Sequence, residues 1–263
     1  MLLTGKVVIV SGVGPGMGRH LAIHAAQEGA RGLVITARRQ ENLDAIDKAV
    51  AEAGTGCEVL ACVNDIRDLG GCERVAASTV ERFGAIDALI NNANVGLGGG
   101  GAKASEGELD VWMHPFEGNV IGTMKMCRAV LEQMKEQGRG FIVNVNTMGA
   151  RMRPKADEVS YDAAKAALMS ATRSLAYEVG QFGIHVNSVF PGSMYGPSTQ
   201  RWVEGLAGTR TEEEIWERVA RQTALRRVPT DEEVALATLF LASEYASACT
   251  GAMLDANGGA FLP

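Results

Sequence analysis

The sequence predicts an α/β fold in which helices cover both faces of a doubly wound parallel sheet of about seven strands. Short β-branched runs alternate with longer helical patterns along the 263 residues, as in repeated βαβ units. The first two runs are continuously apolar, as in strands that are buried on both faces. A glycine-rich segment, 11–18, follows the first run and precedes the first helix.

Each element is predicted from its own pattern, in chain order. Runs rich in valine, isoleucine and leucine predict strands at 7–10, 33–36, 58–61, 88–90, 141–144, 185–189 and 252–255. Helical periodicity predicts helices at 17–28, 41–53 and 69–83, one through Asn119 to Met134, one from before Tyr161 to about Phe182, and one at 231–242. The stretch from Pro191 to about Arg227 is expected to be irregular.

The composition indicates one domain, 1–263, because no Pro- or Ser-rich linker divides a chain that is 46% apolar. A net charge of −6 without a long basic run argues against nucleic acid or an anionic membrane as the main partner. No apolar run is long enough to span a bilayer, and the first strand begins too early for a signal peptide. We therefore expect a cytoplasmic protein.

Cysteine and histidine positions give little sign of a disulfide framework or a metal. The five cysteines are odd in number and lack zinc-ligand spacing, which fits a reducing compartment. His20 and His24 are four residues apart and could share a metal, but the sequence shows no carboxylate or cysteine partner for them. A position on a helix surface is the favoured interpretation, and no metal is expected.

Tyr161 and Lys165 are the strongest chemical signal in the second half of the chain. Residues four apart share one face of a helix, so the phenol and the ammonium are expected to be neighbours. A nearby positive charge favours phenolate and lowers a tyrosine pKa from its reference value near 10. The pair thus predicts a proton donor and acceptor that works near neutral pH.

With these motifs the chain resembles the classical short-chain dehydrogenase/reductase family almost from end to end. Residues 11–18 look like its Thr-Gly-x-x-x-Gly-x-Gly, and 91–94 look like its Asn-Asn-Ala-Gly. Tyr161 and Lys165 match its Tyr-x-x-x-Lys, and Asn119 occupies the place of its active-site asparagine. Pro191 and Gly192 match the Pro-Gly after its sixth strand.

The resemblance implies a Rossmann-type fold and NAD(P)-dependent oxidation of an alcohol or reduction of a ketone. Tyr161 would exchange the proton with the substrate oxygen, and Lys165 would lower the tyrosine pKa and hold the nicotinamide ribose. Asn119 would hold a water that links Lys165 to solvent. The cofactor contacts it implies are Gly12, Gly16, Met17, Gly18, Arg38, Arg39, Asp65, Ile66, Asn92, Ala93, Tyr161, Lys165, Pro191, Gly192 and Met194.

Two departures from the family pattern concern the site. Thr147 takes the place of the family's catalytic serine, and its hydroxyl can donate the same hydrogen bond although its χ1 is restricted. Asn146 could also reach the substrate. Asn94 replaces a glycine, and asparagine tolerates a left-handed backbone conformation better than most residues.

Arg38 and Arg39 follow the second strand, where no carboxylate is present to bind a ribose 2′-hydroxyl. Guanidinium groups pair with phosphate, so NADP(H) is favoured and NAD(H) remains an alternative. One or both arginines could instead merely solvate the start of a helix. Asp65 matches the family's adenine-contacting aspartate, with a helix N-cap as the alternative interpretation.

The resemblance assigns a substrate lid to 191–227, where Tyr195 and Trp202 could line an apolar pocket or pack in an amphipathic helix. The glycine-rich stretch 96–101 is expected to form a mobile loop over the site. A homo-oligomer, a tetramer or a dimer, is also implied by the resemblance.

Three functions remain open: a reductase or dehydrogenase of a small or medium apolar ketone or secondary alcohol, a 3-oxoacyl carrier-protein reductase, and a non-catalytic NADP(H) sensor or structural subunit. Phe182 stands where carrier-protein reductases often have a basic residue, which weakens the second. Intact Asn119, Tyr161 and Lys165 argue against the third.

Overall fold

Seven strands form one sheet in the part of the chain that the structure describes. The structure is a computed structural model that describes residues 1–96, 105, 110–152, 158–206 and 211–263, with backbone alone for 198, 201, 202 and 206. The strands are β1 Val7–Ser11, β2 Gly32–Ala37, β3 Glu58–Val63, β4 Ala88–Asn91, β5 Gly140–Val145, β6 Ile184–Pro191 and β7 Met253–Ala256. They are all parallel, in the order β3-β2-β1-β4-β5-β6-β7.

Helices lie on both faces of this sheet, as the sequence predicts. They are α1 Met17–Gln27, α2 Gln40–Glu52, α3 Leu69–Phe83, α4 Asp110–Phe116, α5 Thr123–Gln137, α6 Val159–Val179, α7 Pro197–Leu206, α8 Glu212–Arg221 and α9 Asp231–Leu241. One core layer joins the sheet to α1, α2 and α9, and the other joins it to α3, α5 and α6. Alternate residues of β1 enter opposite layers, which is why Val7 to Val10 are all apolar.

The strand order reverses at β1, which pairs with β2 on one side and with β4 on the other. In open parallel sheets, ligands bind beyond the carboxyl ends of the strands at such a reversal. The loops that follow β1 and β4 are therefore the place to examine for a site.

Two predictions about the elements are wrong. The stretch 191–227 is not irregular throughout, because it contains α7 and α8. The predicted long helix through Asn119 is interrupted by a π-helical turn, Glu117–Gly122, between α4 and α5. Apart from Gly96, the glycine-rich stretch lies outside the described residues, as do residues 207–210 of the predicted lid.

None of the helices in the described ranges combines the length and the apolar character that crossing a membrane requires.

Candidate cofactor and catalytic cleft

A cleft of about 680 Å³ lies at the carboxyl ends of the central strands, at the reversal of strand order. It brings together nearly all the residues that the sequence predicts for the site. These are Gly12, Gly16, Met17, Gly18, Arg38, Arg39, Asp65, Ile66, Asn92, Ala93, Asn146, Thr147, Tyr161, Lys165, Pro191, Gly192 and Met194.

The glycine loop leaves no room for side chains where it turns. Gly12 has a φ of 95°, and a Cβ there would overlap the backbone of Ala93. A Cβ on Gly18 would lie 2.7 Å from the carbonyl oxygen of Gly12. The Asn92 side chain donates a hydrogen bond to the same carbonyl, which holds the loop against the end of β4. The loop therefore stays open to a diphosphate at the start of α1, as a dinucleotide requires.

Lys165 lies one turn after Tyr161 on α6 and is almost fully buried. Its Nζ donates a hydrogen bond of 3.0 Å to the carbonyl oxygen of Val145, at the end of β5. The same Nζ lies 5.7 Å from the centre of the Tyr161 ring. Burial lowers the pKa of Lys165 to about 8, since the charged ammonium loses hydration.

The structure contradicts the expectation that Tyr161 has a lowered pKa. Burial raises this pKa above its usual value, and the negative charges of Asp162 and Glu158 add to the rise. A hydrogen bond from the Asn94 side chain opposes it, because a donor to the phenol oxygen favours phenolate. Burial is therefore the largest influence on this pKa, and the phenol is protonated at neutral pH.

Thr147 and Asn146 line the same cleft as Tyr161. The Thr147 hydroxyl oxygen accepts a hydrogen bond of 3.2 Å from the backbone of Gly149, so its own proton is free to be donated. Asn146 is 4% exposed, and its Oδ1 accepts a hydrogen bond of 3.0 Å from the backbone of Thr147. Its Nδ2 is buried without a hydrogen-bond partner among the described residues.

Asn119 does not line the cleft and is fully buried in the π-helical turn. Its Nδ2 donates to the carbonyl oxygen of Val95 at 2.8 Å, and its Oδ1 accepts from the nitrogen of Val95 at 3.0 Å. The side chain thus fixes the segment after β4 that carries Asn94.

Arg38 and Arg39 line the end of the cleft beyond β2. Arg39 pairs with Glu41 at 3.1 Å, whereas Arg38 forms no ion pair within the described part of the chain. Asp65 is held by Arg67 at 2.6 Å, and hydrogen bonds from Arg67 are the main reason that its pKa falls to about 2. The N-cap interpretation of Asp65 is wrong, because α3 begins after Asp68.

Tyr195 does not support the predicted pocket. Tyr195 does not line the cleft and instead packs against Trp216, with ring centres 5.1 Å apart. Its backbone also bridges to Thr230, just before α9. The side chain of Trp202 lies outside the described residues.

The cleft also contains polar residues that the sequence analysis did not select: Thr36, Asn42, Asn64, Thr199 and Asp231. Asn64 directly follows β3 and precedes Asp65, a position that could have singled it out. Asp231 begins α9, more than 200 residues from the glycine loop, so only the folded chain brings it to the cleft.

Comparisons with known proteins fit this geometry. A family model described as enoyl-(acyl carrier protein) reductase matches residues 12–260. A short chain dehydrogenase/reductase of Aspergillus oryzae is 32% identical over 99% of this chain and 96% of its own. The chain belongs to the short-chain dehydrogenase/reductase family.

Two further relatives agree with this family assignment. Levodione reductase of Leifsonia aquatica is 31% identical over 97% of this chain and 94% of its own. The solved structure of L-sorbose reductase from Gluconobacter frateurii, complexed with NADPH and L-sorbose, has a TM-score of 0.90. It is 29% identical and covers 98% of this chain and 97% of its own. The chain is thus an oxidoreductase that transfers a hydride between an NAD(P) cofactor and an alcohol or ketone carbon, as predicted.

Proposed function

We propose that the chain reduces a small or medium apolar ketone, or oxidises the matching secondary alcohol, with NADP(H) as its cofactor. The observation that carries this proposal is the convergence of Tyr161, Lys165 and Thr147 in the same cleft as the open glycine loop. The names of the relatives support a carbonyl or alcohol substrate in general terms. That the substrate is apolar is a more specific proposal than its being a ketone or an alcohol.

Tyr161 is the proton donor to the substrate oxygen during reduction. Its raised pKa keeps the phenol protonated, which suits a general acid. Thr147 donates a second hydrogen bond to the same oxygen, where negative charge develops as hydride adds to the carbon. The bound nicotinamide supplies or accepts that hydride.

Lys165 holds the tyrosine side of the cleft in place. Its Nζ is tied to the carbonyl oxygen of Val145 and faces the Tyr161 ring, so it adds positive charge where the phenolate forms. Asn119 acts through the backbone of Val95, which places Asn94 within reach of the tyrosine hydroxyl. In this assignment, Asn119 is a positioning residue.

Arg38 is the proposed ligand of the 2′-phosphate of NADP(H). Arg39 already pairs with Glu41, while the guanidinium of Arg38 has no ion pair among the described residues. A guanidinium binds phosphate through a fork of hydrogen bonds, and no acidic residue stands at this position to favour NAD(H). The relative that was solved with NADPH supports this preference.

A second candidate is the reduction of a 3-oxoacyl group on an acyl carrier protein. The family model carries the name of a carrier-protein reductase. Phe182 lacks the basic group that such a partner would need, but Lys135 lies over its ring with Nζ 4.9 Å from the centre. This lysine could meet an acidic carrier.

The chain is further proposed to be one domain, cytoplasmic and a homo-oligomer. Helices on both faces pack against one continuous sheet, which supports a single domain. The described cysteines are all free, which is consistent with a reducing compartment.

The function is tested by titrating wild type, Tyr161→Phe and Arg38→Asp with NADPH and with NADH, then adding a panel of ketones. Wild type should bind NADPH more tightly and oxidise it when a ketone is added. Tyr161→Phe should still bind NADPH but turn over at least about 100-fold more slowly, as on loss of a general acid. Arg38→Asp should shift the preference towards NADH.

Each result bears on a different part of the proposal. Equal turnover by Tyr161→Phe would remove the tyrosine from the reaction, and an unchanged cofactor ratio in Arg38→Asp would remove that arginine from phosphate binding. Tight NADPH binding without turnover on ketones or on a 3-oxoacyl carrier protein would favour the sensor. Turnover on the carrier substrate alone would favour the second candidate.

A further inference from the structure

Two histidines and two carboxylates form a cluster where α1 packs on α9. His20 and His24 lie one turn apart on α1, with ring centres 6.1 Å apart. Asp231 and Glu232 are the first two residues of α9. The sequence shows no partner for the histidines, because the two helices are separated by about 200 residues of chain. Folding supplies both carboxylates.

The distances in this cluster suit a small cation. One potential ligand atom from each of His20, His24 and Glu232 lies within 4.8 Å of the other two. His20 Nε2 is 3.4 Å from Asp231 Oδ1. Two ligands bound tetrahedrally to zinc, at bond lengths of about 2.0–2.1 Å, stand roughly 3.4 Å apart. The His20 and Asp231 atoms thus already have that separation.

Asp231 provides an independent sign of a missing ligand. The residue is 6% exposed, and its Oδ2 is buried without a hydrogen-bond partner in the part of the chain that the structure describes. This oxygen lies against Gly196, whereas Oδ1 faces His20. A buried carboxylate with an oxygen that lacks a partner is costly, and a cation bound on its Oδ1 side is one way to stabilise its charge. The same residue lines the cofactor cleft, so the cluster borders the site.

We propose that His20, His24, Asp231 and Glu232 form a zinc site. Two imidazoles and two carboxylates suit Zn²⁺ better than Ca²⁺ or Mg²⁺, which prefer oxygen ligands alone. Two carboxylates and two neutral imidazoles carry a total charge of −2, which one Zn²⁺ neutralises.

Binding requires a small rearrangement, in which the Asp231 carboxylate moves from its contact with His20 towards the three residues whose ligand atoms already lie within 4.8 Å of one another. His24 Nε2 and Glu232 Oε1 share a hydrogen bond of 2.7 Å, which is too short for two ligands of one metal. Zn²⁺ takes the place of the proton between these two atoms as both turn towards the metal, and the neutral imidazole of His24 then carries its single N–H on Nδ1, so no net proton is lost. Glu232 is half exposed and has room to move.

Bound zinc would link α1 to α9. The first of these helices begins at the glycine loop, and the second follows the backbone bridge between Tyr195 and Thr230. The ion would thus join the phosphate end of the cleft to the lid. In this arrangement the metal is structural, because all four ligand positions are occupied by protein and no open position is left for substrate.

The test uses the full chain after metal removal, without an affinity tag. Calorimetric titration with Zn²⁺ should give one site per chain. Co²⁺ should give the intense visible bands of tetrahedral coordination. His24→Gln and Glu232→Gln should each weaken Zn²⁺ binding at least about tenfold. His114→Gln, a histidine on α4 outside the cluster, is the matched control and should bind as wild type does.

NADPH binding by each variant shows that the variant is folded. It also separates a failure of the zinc site from a failure of the proposed cofactor binding. Equal Zn²⁺ affinity in His24→Gln and His114→Gln would overturn the site, as would the absence of saturable binding to wild type. A strong near-ultraviolet cobalt–thiolate band would also overturn it, because it would place the metal on cysteine.

Discussion

Lys165 shows why a residue's chemistry cannot be read from its spacing alone. The interval of four residues correctly places it beside Tyr161 on one helix, and the structure puts both in the cleft. The spacing also suggests that the lysine dominates the tyrosine pKa. Burial proves to be the larger effect. It raises the pKa of Tyr161 and lowers the pKa of Lys165, so it favours the neutral form of each group. Burial depends on β5 and on the segment after β4, which lie far away in the sequence.

The buried Lys165 should make stability increase with pH. Its pKa is about 8 in the folded protein against 10.5 in the reference state, so between these values the unfolded chain binds more protons. Wild type should therefore gain stability relative to Lys165→Met between pH 8 and 10.5, by up to on the order of 3 kcal/mol. Urea unfolding of both proteins at pH 7, 8, 9 and 10 measures most of this window. A difference that does not change with pH would mean that the ammonium keeps its hydration.

Thr147 should contribute through its hydroxyl and not through its shape. Thr147→Val keeps the β-branch and removes the donor, so kcat should fall about 100-fold or more, as on loss of one donor to a developing oxyanion. Thr147→Ser keeps the donor and should stay within a few-fold of wild type. Single-turnover rates at saturating NADPH measure the effect. Equal rates for the valine and serine variants would exclude the hydroxyl from the reaction.

Among the secondary-structure elements, the sequence predicts correctly those helix bounds that local residue patterns determine. The bounds of α3 agree with the prediction at both ends, because an apolar stripe ends at a left-handed Gly84. The start of α8 had a readable signal, because the run Glu212-Glu213-Glu214 indicates the solvated start of a helix and Thr211 with Glu214 forms a capping box. The π-helical turn around Asn119 had no local signal, since its contacts are with Val95 across the fold.

The turn between β1 and α1 should tolerate no side chain at Gly12. Both Gly12 and Gly54 have positive φ, but a Cβ on Gly12 overlaps Ala93 whereas one on Gly54 meets nothing within 4 Å. Gly54→Ala is therefore the matched control, with a cost of about 1 kcal/mol from backbone strain alone. Gly12→Ala should cost clearly more and lose NADPH binding. Urea midpoints and NADPH titration test both effects, and equal losses in the two variants would show that the contact with Ala93 relaxes easily.

At the scale of the whole molecule, the proposed homo-oligomer calls for an apolar surface near the last strand. Leu236 and Phe240 are four residues apart on α9 and remain 39% and 37% exposed. All four residues of β7, which forms one edge of the sheet, are only half-buried. A second copy that packs here would cover both features. The family resemblance already implies an interface that includes the last strand, where Gly251 to Gly259 lie. It does not single out Leu236 and Phe240, because apolar residues on a helix predict a buried face without saying which neighbour covers it.

The double substitution Leu236→Asp with Phe240→Asp should therefore reduce the assembly to a smaller unit. Two buried carboxylates in an apolar interface are strongly unfavourable, while in the free chain both positions face solvent. Val63→Asp is the control, because Val63 is 59% exposed on β3, at the opposite edge of the sheet. Light scattering should give a multiple of 27.8 kDa for wild type and for Val63→Asp, and a lower mass for the double variant. Retained NADPH binding would show that the smaller unit is folded, and an unchanged mass would place the interface on another face.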